Sequence, residues 1–225
     1  RGLGDVYKRQ LVIVDESHHA RSELSLEMLE NFNPCFVLDL TATPKKESNI
    51  ISYVDAVQLK NEHMVKLPVI VYNRDSQSEV LIDAIDLRNK LEEIAGEEYT
   101  KTGKYIRPIA LFQAQPKGKE DATTFEKLRD KLVDAGIPAE QIAIRTADVN
   151  ELKNVELMSL SCPIRYIITV NALKEGWDCP FAYILASLAN KTSQVDVEQI
   201  LGRILRLPHT SQHTQSALNM SYVLT

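Results

Sequence analysis

Residues 11–19, LVIVDESHH, constrain the fold of this chain more than any other stretch. Four apolar, mostly β-branched residues followed at once by Asp15 and Glu16 read as a buried parallel strand whose carboxyl end opens onto a ligand crevice. The acids are then presented at an edge rather than buried. Adjacent carboxylates there suit nucleotide hydrolysis: Asp15 can hold Mg²⁺, usually through water, while Glu16 positions or deprotonates the attacking water. A strand that simply ends in polar residues accounts for the same letters, so the weight falls on the segments downstream of His19 and on their order.

Those segments alternate. Residues 21–31 carry Leu24, Met28 and Leu29 at helical spacing, and residues 36–40 form a second apolar strand ending in Thr41-Ala42-Thr43-Pro44. Small hydroxyl residues before a proline make a rigid turn near the first strand's acids, although TATP alone is a common turn. Residues 45–64 are less patterned, 66–72 read as a strand, and 79–98 as a helix turning Leu81, Ile85, Leu91 and Ile94 toward a core. A polar break over 96–104 places the main boundary between Met64 and Tyr105. Strands over 106–114, 141–146, 166–170 and 182–188 then alternate with helices over 123–135, 149–160 and 193–207, the pattern of a mostly parallel sheet covered on both faces.

Composition narrows the class. The 225 residues are 44% hydrophobic and 25% charged, with no apolar run of membrane-spanning length and no secretory signal pattern. Cys35, Cys162 and Cys179 are odd in number and widely spaced, which reads as a reducing cytoplasm without structural zinc. A net charge of −5 argues against gripping nucleic acid by bulk charge, though not against a groove with local cations and backbone amides. Residues 1–10, RGLGDVYKRQ, have the look of a translated sequencing adaptor and are set aside from fold reasoning.

The last helix is the most informative. Ser193 and Asp196 open it as a capping box and Pro208 stops it. Val197, Ile200, Leu201 and Ile204 share one face, whereas Gln199, Arg203 and Arg206 line the other with Gly202 at its edge. A solvated charged face is the ordinary reading of such a stripe. Against it stands Gly202, which costs about 1 kcal/mol relative to Ala inside a helix and is easier to understand if something approaches the backbone closely. Two guanidiniums suit a developing γ-phosphate charge. Upstream, in VNALKEGWDCP, Gly176 permits a tight turn, and Asp178 can accept from a ribose or orient the arginines. Trp177 reads as a core aromatic.

With DESHH, TATP, ALKEGWDCP and QILGRILR in this order, the chain resembles the superfamily 2 helicases and translocases from residue 11 to its end. It is most similar to the helicase part of type III restriction endonuclease Res subunits and their DEAD/DEAH-box relatives. The resemblance implies an α/β fold of two RecA-like parallel-sheet lobes, the first incomplete: residues 11–64 from the first lobe, 65–104 a linker strand and helix, and 105–225 the second lobe. It implies ATP and Mg²⁺ as cofactors, Asp15 for the metal and Glu16 for the water. Thr41, Thr43 and His18 would couple hydrolysis to movement. Gln199, Arg203 and Arg206, with Gly202, would meet the γ-phosphate, while Gly176 and Asp178 would help close the nucleotide site. The implied partners are double-stranded DNA and a methyltransferase (Mod) subunit, in the cytoplasm and without a membrane. The acids and the guanidiniums are thus expected to face one nucleotide.

The departures matter as much. No G-x-x-x-x-G-K-[ST] occurs, so a phosphate-cradling loop is expected upstream of Leu11 and this stretch alone is expected to handle ATP poorly. Val170-Asn171 stand where many relatives have Thr-Asp, and Glu151-Leu152-Lys153 after Asp148, spelled like a nuclease motif, read as a solvated helix face. Any nuclease domain is expected beyond Thr225. The competing reading is a nucleic-acid-binding or scaffolding relative that has lost hydrolysis. A metal site from Asp15, Glu16, His18 and His19 lacks the HExxH spacing and ranks lower.

Overall fold

The computed structural model describes residues 10–15, 23–41, 49–115, 124–170, 178–188, 202 and 204–225. The chain divides into two compact units, Arg1–Tyr53 and Val54–Thr225, each built on its own parallel sheet. In the first, β1 (Leu11–Asp15) pairs with β2 (Phe36–Leu40), Leu11 opposite Phe36 and Asp15 opposite Leu40. Parallel pairing needs a crossover, which α1 (Glu23–Asn31) supplies. Asn33, at a left-handed φ of 41°, then turns the chain so that the Cys35 amide donates to the Gln10 carbonyl at 3.0 Å, fixing the register. The expected burial of β1 is not met: Leu11 is 55% and Ile13 57% exposed, because β2 is its one neighbouring strand among the described residues.

The second unit opens with α2 (Ala56–Asn61), in the stretch that carried little pattern. Asp55 accepts from the Gln58 amide at 2.7 Å while the Gln58 side chain takes the Asp55 amide at 3.0 Å, a reciprocal cap that lets so short a helix form. Six parallel strands come next, in the spatial order β3-β8-β7-β4-β6-β5: β3 (Val69–Tyr72), β4 (Ile109–Gln113), β5 (Ile142–Arg145), β6 (Tyr166–Thr169), β7 (Ala182–Ser187) and β8 (Ser221–Leu224). All five residues of β4 are buried, so the centre of the sheet is covered on both faces. Helix α3 (Gln77–Thr102) packs on β4, β7 and β8, and α4 (Phe125–Asp134) packs on β6. The stretch 65–104, expected as a linker, is therefore part of this unit, since β3 pairs with β8 and α3 lies on its core.

Further expectations are corrected. The break over 96–104 is helical as far as Thr102, because burial of Leu91, Ala95 and Glu98 outweighs the cost of Gly96, and the helix stops at Gly103 with a left-handed φ of 72°. No helix spans 149–160. Glu151 is at the surface as expected, but not on a helix: its carboxylate accepts the Ile144 amide at 2.8 Å and Arg129 at 2.9 Å. Asn154 is left-handed at φ 65°, and Arg107, fully buried, donates to the carbonyls of Leu157, Ser159 and Ile164 in place of helical amides. Finally, β8 carries no distinct sequence pattern, yet it fills the place between β3 and β7. Of the helix expected over 193–207, Gly202 and Ile204 are helical, but Leu205, Arg206 and Leu207 are not. The Lys66 amide donates to the Leu205 carbonyl and the Leu207 amide to the Met64 carbonyl, so the chain leaves the helix for a bridge and Arg206 does not stand on a helix face. Ser193, Asp196 and Trp177 lie outside the described residues.

Candidate functional site

In the first unit, β1 delivers Asp15 to its carboxyl end. Its register partner is Leu40, so Thr41, the next residue, stands at the same edge of the sheet. Asp15 is exposed and Thr41 half-buried, which leaves one carboxylate and one hydroxyl at the strand ends where a parallel sheet presents ligand-binding groups. Glu16, His18 and Thr43, expected at the same place, lie outside the described residues.

In the second unit, Asp178 and Arg206 come together as an ion pair, each side chain 52% exposed. They are 28 positions apart in sequence. Residues on both sides of Arg206 are tied to the segment preceding β3: the Leu207 amide donates to the Met64 carbonyl at 2.9 Å, and the Lys66 amide donates to the Leu205 carbonyl, making an antiparallel bridge between Val65 and Arg206. Gly202 is exposed, and a Cβ there would meet nothing within 4 Å, so no described residue of the chain accounts for a glycine at this position. Gly176, Gln199 and Arg203 lie outside the described residues.

Behind the pair is a buried polar layer that the sequence did not announce. Lys66 is fully buried, with its ammonium 2.8 Å from both the Pro180 and Ala182 carbonyls and 4.1 Å from the centre of the Tyr183 ring. Burial pulls its pKa well below the lysine range, against the opposing pull of Cys179 and Asp178. The Cys179 thiol is pushed up to about 11, chiefly by burial. Past Arg206, the chain turns through His209 and Thr210 at left-handed φ of 58° and 45°, positions that persist only where surroundings fix them. Here they are fixed: His209 Nε2 lies 2.8 Å from the Tyr105 carbonyl, Lys104 donates to Ser211 at 2.9 Å, and Glu98 accepts the Thr214 and Gln215 amides at 3.0 and 3.2 Å. The lysine that opens KLPVIVY reads as a strand start, and only the remote partners Pro180 and Ala182 reveal its contacts.

The Asp15 carboxylate at the edge of the first unit's sheet has the chemistry of a Mg²⁺ ligand. Mg²⁺ is usually held by one or two carboxylates together with waters and phosphate oxygens, and a single exposed carboxylate at a sheet edge meets that need. Among the described residues, no group of three His, Cys, Asp or Glu could make an all-protein metal cage. No described helix is long and apolar enough to cross a membrane.

Residues 5–46 match the family model of the type III restriction enzyme res subunit, a stretch that begins within the set-aside residues and takes in β1, α1 and β2. No curated protein matches the chain. Among solved structures, a fragment assigned as an HsdR subunit of a type I restriction enzyme from Vibrio vulnificus YJ016 aligns at a TM-score of 0.56 and 19% identity, over 95% of this chain and 42% of that one. The ATP-dependent type ISP restriction-modification enzyme LlaBIII bound to DNA aligns at 0.51 and 17%, over 96% of this chain and 18% of that one. A Dbp5 variant from S. cerevisiae bound to RNA and ADP BeF3 aligns at 0.52 and 14%, over 96% and 52%. The chain thus spans less than two thirds of each. It has the α/β, parallel-sheet fold of the RecA-like helicases, with the Res-subunit match in its first unit.

Proposed function

We propose, starting from the helicase fold and the Res match over 5–46, that this chain is part of an ATP-dependent DNA helicase or translocase motor of the type III restriction Res kind. The observation that carries the reading is the placement of Asp15 beside Thr41 at the carboxyl edge of β1 and β2, inside the matched stretch. Each unit would supply its own residues to ATP handling. From the first unit, Asp15 would hold Mg²⁺ and Glu16 would orient the attacking water, with Thr41, Thr43 and His18 relaying the nucleotide's state. From the second, Arg206 with Arg203 and Gln199 would neutralise charge developing on the γ-phosphate. The Asp178 pair would hold the Arg206 guanidinium in orientation, and Gly176 and Gly202 would give the nucleotide room. Bound Mg²⁺ supplies charge neutralisation at the phosphates.

Double-stranded DNA, a methyltransferase subunit and a cytoplasmic setting belong to the same proposal. The test is DNA-stimulated ATPase in the complete gene product, including a phosphate-binding loop. Glu16→Gln and Arg206→Ala are each expected to abolish turnover with folding intact, the arginine by roughly 10³-fold or more. Unchanged turnover in both overturns the motor reading. A wild-type protein that binds DNA without hydrolysing ATP supports the scaffolding alternative.

A further inference from the structure

Lys66 makes contacts that stability alone does not call for. A buried cation without a carboxylate partner is costly, and an apolar residue of similar volume would usually be as stable or more so. Among the described residues, none offers Lys66 an ion pair. Its side-chain nitrogen instead lies against two carbonyls, Pro180 and Ala182, and the face of Tyr183. Those carbonyls lie two and four residues beyond Asp178. The same residue's backbone amide holds Leu205, immediately before Arg206, while Met64 holds Leu207, immediately after it. Lys66 therefore touches the flanks of both members of the exposed pair: the segment after Asp178 through its side chain, and the residue before Arg206 through its main chain, with Met64 holding the residue after.

We infer that Lys66 is the positioning residue of the Asp178–Arg206 pair, setting the distance between the loop before β7 and the segment that carries the arginine. The part of the inference that concerns catalysis rests on the function proposed above. The geometric part does not.

Two measurements separate them. In the 225-residue chain, the Arg206 guanidinium Nη–Hη nuclear magnetic resonance signals report the ion pair, which runs through Nη1, and Asp178→Asn defines their unpaired position. Lys66→Met and Lys66→Gln, both folded by circular dichroism, are expected to move those signals to the unpaired position. In the complete gene product, Lys66→Met is expected to lower kcat roughly 10- to 100-fold with the KM for ATP little changed, as a misplaced group does. Adding it to Arg206→Ala is expected to cost nothing further. An Arg206 signal that stays paired in both lysine variants overturns the proposal, and so does failure of both to fold, which would make Lys66 a stability residue only. A lost pair with ATPase unaffected even by Arg206→Ala keeps the positioning role and instead removes the motor reading.

Discussion

Glu98 and His213 are a buried acid and a buried base 3.7 Å apart, and their surroundings treat them differently. Burial works to raise the Glu98 pKa, but donation from Thr214 and Gln215 and the nearness of His213 hold it below the usual carboxylate range. For His213, burial dominates and pushes it to about 4, against Glu98 and with help from His209, Lys104 and Lys66. Neither of its ring nitrogens has a hydrogen-bond partner among the described residues. A histidine that binds its proton less readily when folded contributes stability above its unfolded pKa near 6.5, and that contribution is lost as pH falls toward 4. Urea unfolding is expected to show a loss on the order of 2 kcal/mol across that window, largely absent in His213→Gln. A slope that His213→Gln leaves unchanged would assign the acid sensitivity elsewhere. Arg107 makes a parallel case: Arg107→Met removes the donor to three carbonyls and is expected to cost about 3 kcal/mol by the same measurement.

At the scale of elements, the two glycines of the α3 region make a controlled comparison. Gly96 lies inside the helix with open space around a Cβ, whereas Gly103 sits at a left-handed φ of 72°. Gly96→Ala is expected to raise stability by about 0.5–1 kcal/mol and Gly103→Ala to lower it by about 1 kcal/mol, read as opposite shifts in thermal midpoint. The elements legible in the sequence are those whose signal is local: β1, β2, β4, β6 and β7 are short apolar runs, and α4 begins at Thr124 with an ordinary cap. Those not legible depend on distant residues. The stretch 149–160 gives the Leu157 and Ser159 carbonyls to Arg107 and its Glu151 to β5, and β8 is a strand because β3 and β7 flank it. The candidate site divides the same way. Asp15, Thr41, Asp178 and Arg206 stand out by motif, and orienting an arginine is one of the roles open to Asp178 from sequence. Lys66 could not be found, because nothing within several residues of it hints at Pro180, Ala182 or Leu205.

For the whole molecule, the two units differ in how much of a core they hold. The second buries Ile109, Ala110, Leu111 and Phe112 completely, whereas in the first Leu24 is 76% and Leu11 55% exposed. Residues 54–225 alone are expected to keep a single cooperative thermal transition and their near-ultraviolet circular dichroism, and residues 1–53 alone to melt without cooperativity, as the two strands and one helix among the described residues there leave Leu11, Ile13 and Leu24 exposed. A non-cooperative melt of residues 54–225 would contradict the division at Tyr53 and Val54. The place of β8 has a temporal consequence. Because β3 reaches β7 only through it, a nascent chain on the ribosome has to hold both flanks apart until Ser221–Leu224 emerge, so the sheet closes late, by a long-range and therefore slow step, and translation rather than local folding sets its earliest moment.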